Sequence, residues 1–359
     1  MDIKEYFPCD NGEEKKLFFT CENTKEIYNH MEDAISKEIF ANRLLYSQTG
    51  DYQYIRNIVL GTPVGKQLCD LLEGPLYIYG AGRRGKSLLE TFPDKDWRGF
   101  IDKNKCGEYI GYPVLKYDEF EYKPGRKIVL SNKYEYEPIL QDLIEDKQID
   151  KSNILILEEY SKLASKDIYF ERRCLGNFQI YGGSFLDIGC YDGTDTINAM
   201  RAFPDEKFPI LAIEPDSSNF EVCRNNLSNY GNVSVYRKGV SARTEVGRFS
   251  DSGKPGARFT EDGTELVELD TIDNIVGDNK VNYIKMDIEG YEEQALQGAA
   301  STIMRWKPAL AICVYHKKSD IWRLPLKILE LNEDYRFFMG HYTLSWGDSV
   351  VYAVDKSCL

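Results

Sequence analysis

The segment from Phe185 to Thr196 places glycines and acids between an apolar run and a helical pattern. Gly189 and Gly193 have no Cβ, so the backbone there can approach a ligand closely. Ligands of open parallel sheets bind beyond the carboxyl ends of the strands, which puts a nucleoside at this turn. Asp187 and Asp192 make the turn acidic, which disfavours a pyrophosphate and suits a sulfonium and an ammonium group. The turn therefore predicts S-adenosylmethionine rather than NAD, the alternative being a plain strand–turn–helix junction. The cofactor contacts expected here are Asp187, Gly189, Cys190, Tyr191, Asp192, Gly193 and Thr194.

The next apolar run ends at Glu214, 25 residues after Gly189. A carboxylate at the end of the second strand can accept hydrogen bonds from both ribose hydroxyls. We therefore predict that Glu214 and Pro215 contact the cofactor, the alternative being an ordinary surface glutamate. A third strand leads to Gly239 and Val240, which are expected to meet the adenine.

Two further strands are followed by side chains that can donate or accept a proton. Asp287 and Glu289 leave the fourth strand separated by one residue, and His316 follows the fifth strand. The two carboxylates can hold an amino group, an acceptor hydroxyl or a divalent metal. Asp287 and His316 are the candidate catalytic residues, whereas a structural role is the alternative for the histidine. For Glu292, the alternative is stabilisation of a helix N-terminus.

This set of motifs resembles the FkbM family of S-adenosylmethionine-dependent methyltransferases. The resemblance covers about residues 180–355 and includes the histidine and the terminal strand pair. It implies a class I methyltransferase fold, a seven-stranded sheet with the last strand antiparallel, and methyl transfer to a hydroxyl, commonly of a sugar or a polyketide-derived product. Tyr191 departs from the general class I pattern, because it replaces the central glycine of G-x-G-x-G. The matching segments are 187–193, 213–216, 269–273 and 286–292.

A second glycine loop lies in the amino-terminal half. Residues 80–85 fit G-x-G-x-x-G between a strand and a helix, and Asp102 follows at the distance expected of a ribose acid. The loop resembles those of small nucleotide-sugar-binding domains that precede some sugar-modifying enzymes. We expect it to bind a phosphate or nucleotide sugar, and a packing role is the alternative. The residues of this acceptor or second nucleotide site are Gly80, Gly82, Arg83, Arg84, Gly85 and Asp102, with Glu289 on the methyltransferase side.

Strands that alternate with helices predict two α/β domains. The expected organisation is a helical arm (1–73), a small doubly wound Rossmann-like domain of four or five strands (74–160), a connecting helix (161–180) and the methyltransferase domain (181–359). Within the arm, one helix is expected from Thr24 to Tyr46. The segment from Ser250 to Glu265 is a candidate lid over the acceptor or a solvated insertion.

Composition excludes several classes of protein. The 359 residues have a net charge of −13, which argues against binding a nucleic-acid backbone. No apolar run approaches the roughly 18 residues of a membrane span, and the amino terminus lacks a signal-peptide core. The nine cysteines occur singly, which argues against zinc and disulfide frameworks and favours the cytoplasm.

The sequence therefore predicts an O-methyltransferase that acts on a sugar, a glycan precursor or a related small metabolite, with His316 or Asp287 as the base. One alternative is an NAD(P)-dependent oxidoreductase or epimerase that uses the Gly80–Gly85 loop. The other is a non-catalytic sugar-binding module. The sequence does not decide the acceptor, the need for a divalent metal or the oligomeric state.

Overall fold

The computed structural model describes residues 21–134, 136–176, 178–204, 207–249 and 263–359. Most of the candidate lid lies outside these residues. The described chain opens with four helices, α1 Cys21–His30, α2 Ala34–Thr49, α3 Tyr52–Gly61 and α4 Pro63–Leu71. The single helix expected from Thr24 to Tyr46 is wrong, because the chain leaves the helix at Met31 to form a bridge with Phe337. Asp33 then caps α2 by accepting a hydrogen bond from Ser36 N at 2.6 Å.

The amino-terminal sheet follows this arm. Its elements are β1 Leu76–Tyr79, α5 Arg83–Thr91, β2 Trp97–Asp102, β3 Gly107–Tyr109, β4 Tyr112–Lys116, β5 Lys127–Leu130, α6 Tyr136–Glu145 and β6 Ile154–Ile156. Among the described residues the strand order is β3-β4-β2-β1-β5-β6, with every neighbouring pair parallel except β3 and β4. The sheet thus has six strands instead of four or five. The added hairpin β3–β4 is short and largely exposed, so it has no apolar run that would reveal it.

The segment expected to form one connecting helix is interrupted. It contains the end of α7 Leu157–Ala164 and a single turn, α8 Arg172–Leu175. Between them Tyr169 adopts a positive φ of 68°, which a continuous helix does not allow. The Arg173 guanidinium anchors the segment to the arm through Asp33, at 2.7 Å.

The carboxyl-terminal sheet is the larger one. Its strands are β7 Ser184–Ile188, β8 Ile210–Ile213, β9 Val233–Tyr236, β13 Val281–Met286, β14 Ala309–Cys313, β15 Tyr335–His341 and β16 Ser349–Asp355. A short separate sheet contains β10 Gly239–Val240, β11 Glu245–Phe249 and β12 Glu265–Asp270. The helices of this half are α9 Thr194–Ala202, α10 Ser217–Leu227, α11 Ile272–Val276, α12 Glu292–Gln297, α13 Ala300–Trp306 and α14 Asp320–Leu331.

In the described residues the order of the larger sheet is β15-β16-β14-β13-β7-β8-β9. The last strand, β16, inserts between β14 and β15 and runs antiparallel to both. This confirms the seven-stranded mixed sheet that the family resemblance implies. Because β7, β8, β13 and β14 are parallel neighbours, their carboxyl ends lie along one edge.

The two sheets share one apolar core. Phe100 and Leu76 of the amino-terminal sheet belong to the same cluster as Ile284 and Leu310 of the carboxyl-terminal sheet. Thr91 Oγ1, at the end of α5, donates a hydrogen bond to the carbonyl of Leu344 at 3.2 Å. The amino-terminal half is therefore packed against the loop between β15 and β16, which places it beside the carboxyl-terminal sheet.

Within the described ranges, no helix combines the length and apolar character needed to cross a bilayer. The thiols of the cysteines whose side chains are described are all free.

Candidate active site

A cavity of about 340 Å³ lies at the carboxyl ends of β7, β8, β13 and β14. This volume falls within the usual range for a small-molecule site. Several residues predicted from sequence line it, and their role in cofactor binding stays a prediction. They are Gly189, Tyr191, Glu214, Pro215, Gly239, Val240, Asp287 and Glu289.

Glu214 lies at the end of β8, as its position in the sequence predicts. Its carboxylate accepts hydrogen bonds from the backbone N–H groups of Tyr191 at 2.9 Å and Asp216 at 3.0 Å. The residue is only 6% exposed, and burial raises its pKa to about 7. These two hydrogen bonds fix the carboxylate in place. Because Glu214 also lines the cavity, the carboxylate could accept hydrogen bonds from a ribose bound there.

The turn after β7 is shaped by two backbone constraints. A Cβ at Gly189 would come within 2.0 Å of the Asp287 carbonyl oxygen, so the strand ends approach too closely for any side chain at this position. Tyr191, which stands where the general class I methyltransferase pattern has a glycine, has a positive φ of 49°. Its side chain is 38% exposed and lines the cavity. The turn thus keeps the left-handed conformation without the residue that adopts it most readily.

Asp187 does not reach the cavity. Its carboxylate is fully buried and pairs with Lys285 Nζ at 3.0 Å, while Thr196 Oγ1 donates to it at 2.7 Å. The same ammonium lies 3.5 Å from Asp195 and donates to the Gly189 carbonyl at 2.7 Å. Asp187 therefore holds Lys285 in position, and Lys285 in turn binds the carbonyl of the glycine turn.

Lys285 and Asp195 both line the cavity, and sequence reasoning missed them. Burial lowers the pKa of Lys285, but Asp187 and Asp195 outweigh burial and raise it well above its ordinary value. Burial raises the pKa of Asp195 to about 6. The signal in the sequence was a lysine inside the largely apolar strand β13, since a charge in a buried strand needs a partner.

Four other residues predicted at this turn lie outside the cavity wall. The Cys190 thiol packs against Cys223, with the sulfurs 3.3 Å apart. The Asp192 carboxylate accepts a hydrogen bond from the Thr194 backbone at 2.9 Å, and Gly193 begins α9 in the left-handed region. These residues shape the turn and do not line the cavity.

Asp287 lines the cavity, and His316, which is not among the residues that line it, contacts Asp287. His316 Nε2 lies 3.3 Å from Asp287 Oδ1 and 3.5 Å from Glu289 Oε2, and its Nδ1 lies 2.9 Å from Glu292 Oε1. The imidazole is 7% exposed, whereas the Asp287 carboxylate keeps 26% exposure. The other Asp287 oxygen accepts a hydrogen bond from the Tyr169 hydroxyl at 2.8 Å. Tyr169 comes from the segment that the sequence assigned to a connecting helix.

The charges of this pair follow from the surroundings. Burial lowers the pKa of His316, but the hydrogen bonds and charges of Asp287 and Glu292 overcome burial and raise the pKa to about 11. Burial raises the pKa of Asp287, but His316 and Lys285 hold it well below its usual range. The imidazole is therefore protonated at neutral pH, and Asp287 is ionised.

The same groups could hold a cation. Asp287, Glu292 and His316 each offer a ligand atom, and these three atoms lie within 4.8 Å of one another. Carboxylate and imidazole ligands suit divalent transition metals. The protonated imidazole supplies one positive charge among the carboxylates of Asp287, Glu289 and Glu292.

A second cavity, of about 470 Å³, lies between the two halves of the chain. Arg83 and Arg84 from the predicted glycine loop line it. Asp102 does not, because its carboxylate accepts hydrogen bonds from the backbones of Ala81, Asn104 and Lys105 at 2.9–3.1 Å. The predicted ribose acid thus holds its own loop together.

The glycines of that loop allow its backbone conformation and its close packing. Gly80 has a positive φ of 101°, and Gly82 precedes α5 without a side-chain cap. A Cβ at Gly85 would lie 2.7 Å from the Gly80 carbonyl oxygen, so α5 packs directly on the loop. None of the three lines the second cavity as described.

Comparison with known families decides the class of the carboxyl-terminal half. Residues 187–339 match the methyltransferase FkbM domain. This part of the chain is an FkbM methyltransferase domain. The match spans β7 to β15 and contains Glu214, Asp287 and His316. S-adenosylmethionine is accordingly the cofactor of the FkbM domain. No curated protein shows significant sequence similarity to the chain.

Solved structures similar to the chain include other methyltransferases. Methyltransferase FkbM from Methylobacillus flagellatus is 18% identical, with 89% of this chain and 99% of that chain covered and a TM-score of 0.47. A SAM-dependent methyltransferase from Aquifex aeolicus is 16% identical, with 54% and 92% covered and a TM-score of 0.34. Aeropyrum pernix fibrillarin, solved with bound S-adenosyl-L-methionine, is 13% identical, with 48% and 66% covered and a TM-score of 0.32.

The side chains that line the FkbM cavity are chemically suited to S-adenosylmethionine. Glu214 offers carboxylate oxygens for a ribose, while Val240 and Phe249 offer apolar surface for an adenine. Asp195 and Asp287 offer negative charge for the ammonium and sulfonium groups. These residues all line one cavity, so their side chains suit the ribose, adenine, ammonium and sulfonium groups of the cofactor.

Proposed function

We propose that the protein transfers a methyl group from S-adenosylmethionine to a hydroxyl oxygen of a sugar, a glycan precursor or a related small metabolite. Bound cofactor supplies an activated methyl carbon, and its sulfur keeps the electron pair of the broken bond. The chain must then align the acceptor oxygen with that carbon and accept the hydroxyl proton. The observation that carries the proposal is the ionised, partly exposed Asp287 carboxylate on the wall of the FkbM cavity.

Asp287 is the better base of the two predicted from sequence. His316 is protonated at neutral pH, so it cannot take the proton from a hydroxyl. The hydroxyl proton becomes strongly acidic as its oxygen attacks the methyl carbon, so even a carboxylate with a low pKa can accept it. In this assignment His316 is a positioning residue that holds Asp287 in place and balances its charge.

A small-molecule acceptor fits the charge of the chain. The net charge of −13 opposes a nucleic-acid backbone and supports a metabolite as the acceptor. The free thiols described above support a reducing compartment, and we propose the cytoplasm. We also propose that the chain divides near residue 180 into an amino-terminal domain and a methyltransferase domain.

Two measurements test the function. Calorimetry with S-adenosylhomocysteine and with NAD should show binding of the first alone. The FkbM cavity, which is the proposed donor cavity, is acidic, and the Asp102 carboxylate is occupied by its own loop. Transfer of labelled methyl groups to a panel of sugars, sugar phosphates and nucleotide sugars should then identify the acceptor. Binding of NAD alone would support an oxidoreductase instead, and cofactor binding without transfer to any acceptor would support a binding module.

A further inference from the structure

The two cavities meet at a common wall. Lys133, Tyr315 and Asp348 line both of them. Lys133 follows the carboxyl end of β5, and Tyr315 follows the carboxyl end of β14. Each sheet therefore directs the ends of its parallel strands toward the same three residues. A molecule held in the second cavity can reach the donor cavity across this wall.

The second cavity lies where open α/β sheets commonly bind ligands. The strand order reverses between β1 and β5, and residues that follow β1, β5 and β6 line the cavity. Ligands of open α/β sheets bind at such a reversal, beyond the carboxyl ends of the strands. The cavity thus occupies the place that this sheet offers to a small molecule.

The two cavities differ in charge. Among the described residues of the donor cavity, five acids face three lysines, namely Asp195, Glu214, Asp287, Glu289 and Asp348 against Lys133, Lys238 and Lys285. The second cavity reverses this balance, with Arg83, Arg84, Lys133 and Lys162 against Glu158 and Asp348. A basic cavity in a chain of net charge −13 is matched to an anion, whereas the acidic cavity is matched to a cation.

We infer that the second cavity binds the acceptor, and that the acceptor carries a phosphate or diphosphate group. This inference rests on the proposed methyl transfer and names the class of its substrate. The anionic group lies toward Arg83 and Lys162, and the hydroxyl to be methylated lies toward Asp348 and Tyr315. Trp346 lines the same cavity and offers an aromatic face for a sugar ring.

The cations of the cavity have different roles. Arg84 Nη2 lies 2.9 Å from Glu158 and donates to Ser161 Oγ at 2.9 Å, so this arginine is part of the wall. Arg83 and Lys162 are exposed at the first turn of α5 and on α7. They can turn toward a phosphate without breaking the Arg84–Glu158 pair, which makes them the cations to test.

The experiment compares R83Q/K162Q with the control K66Q/K151Q, which removes two exposed lysines that do not line either cavity. Calorimetry on the full chain uses UDP-glucose, UDP, glucose 1-phosphate, inorganic phosphate and glucose as probes. We expect the wild type and the control to bind at least one phosphate-bearing probe more tightly than glucose. We expect R83Q/K162Q to bind that probe at least tenfold more weakly and S-adenosylhomocysteine with unchanged affinity.

Two results would overturn the inference, namely no binding of any phosphate-bearing probe by the wild type, or equal binding by both double variants. Comparison of UDP with glucose 1-phosphate shows whether a nucleotide or a sugar phosphate is the source of the anion. Failure of the proposed methyl transfer would instead show as absent S-adenosylhomocysteine binding or absent transfer, and phosphate binding is measured independently of both.

Discussion

Nε2 of His316 lies 3.3 Å from Oδ1 of Asp287, although 28 residues separate the two in the chain. Each follows the carboxyl end of a strand, and those strands, β14 and β13, are parallel neighbours. Glu292 holds the opposite side of the imidazole, with Nδ1 and Oε1 2.9 Å apart. This arrangement fixes an ionised carboxylate at the donor cavity, so substitution of either residue should change both charge and position there.

His316→Gln should destabilise the fold in a pH-dependent way. The folded-state pKa of about 11 lies above the ordinary value of 6.5, so the ionic contribution is complete below pH 6.5 and is lost as the pH rises toward 11. Loss of a partner from a buried ion pair costs about 3 kcal/mol. Urea denaturation between pH 6 and 9.5 should show a difference from wild type that shrinks as the pH rises. His30→Gln is the control, and a difference that does not change with pH would contradict the assigned charge.

Asp287→Asn should reduce catalysis far more than cofactor binding. The amide cannot take the hydroxyl proton, so we expect kcat to fall about 10²- to 10⁴-fold, the usual contribution of a general base. His316→Gln should lower kcat less, since it repositions the carboxylate without removing it. Steady-state kinetics with the acceptor found in the panel measures both effects. Full turnover by Asp287→Asn together with inactive His316→Gln would reverse the two roles.

Glu214→Gln should weaken S-adenosylhomocysteine binding. Hydrogen bonds to a charged group contribute about 1.5–3 kcal/mol, so the Kd should rise by about 10- to 100-fold. The pKa of Glu214 is about 7, so in the wild type protonation should weaken binding as the pH falls below 7. Calorimetry at pH 6 and 8 should show this dependence in wild type and in the control Glu221→Gln, but not in Glu214→Gln. An unchanged affinity in Glu214→Gln would remove the residue from the ribose site.

Lys285→Met should strongly destabilise the protein, because it leaves Asp187 and Asp195 without their buried partner. The expected cost is about 3–5 kcal/mol of unfolding free energy. The double variant Asp187→Asn/Lys285→Met should recover part of this loss, since one of the two stranded carboxylates becomes neutral. Denaturation of Lys285→Met, Asp187→Asn and the double variant measures the coupling between the residues. Additive losses would show that the pair is not coupled.

Much of the carboxyl-terminal fold could be predicted from local sequence. Strands such as Ser184–Ile188 and Val281–Met286 are short, mostly apolar runs bounded by polar or glycine turns, and the structure has them with the predicted bounds. Parallel strands read as continuous apolar stretches because both faces are buried. The side chains at their carboxyl ends, including Glu214 and Asp287, could therefore be assigned to one edge before any contact was known.

The errors fell where long-range contacts override local pattern. The helix expected from Thr24 to Tyr46 breaks because Met31 pairs with Phe337, which is 306 residues away in the chain. The connecting helix is interrupted at Tyr169, whose hydroxyl reaches Asp287. Periodicity reports which residues prefer burial, but it does not report which distant strand they will meet.

The sequence by itself determined the class of the protein, because glycine turns, acids at strand ends and strand–helix alternation are local properties of the chain. Only the tertiary structure decided which of those acids line a cavity. Asp187 is taken up by Lys285 and Asp102 by its own loop, whereas Glu214 and Asp287 stay on the cavity wall. The protonation of His316 was likewise decided in three dimensions, since it depends on the distances to carboxylates brought together by folding.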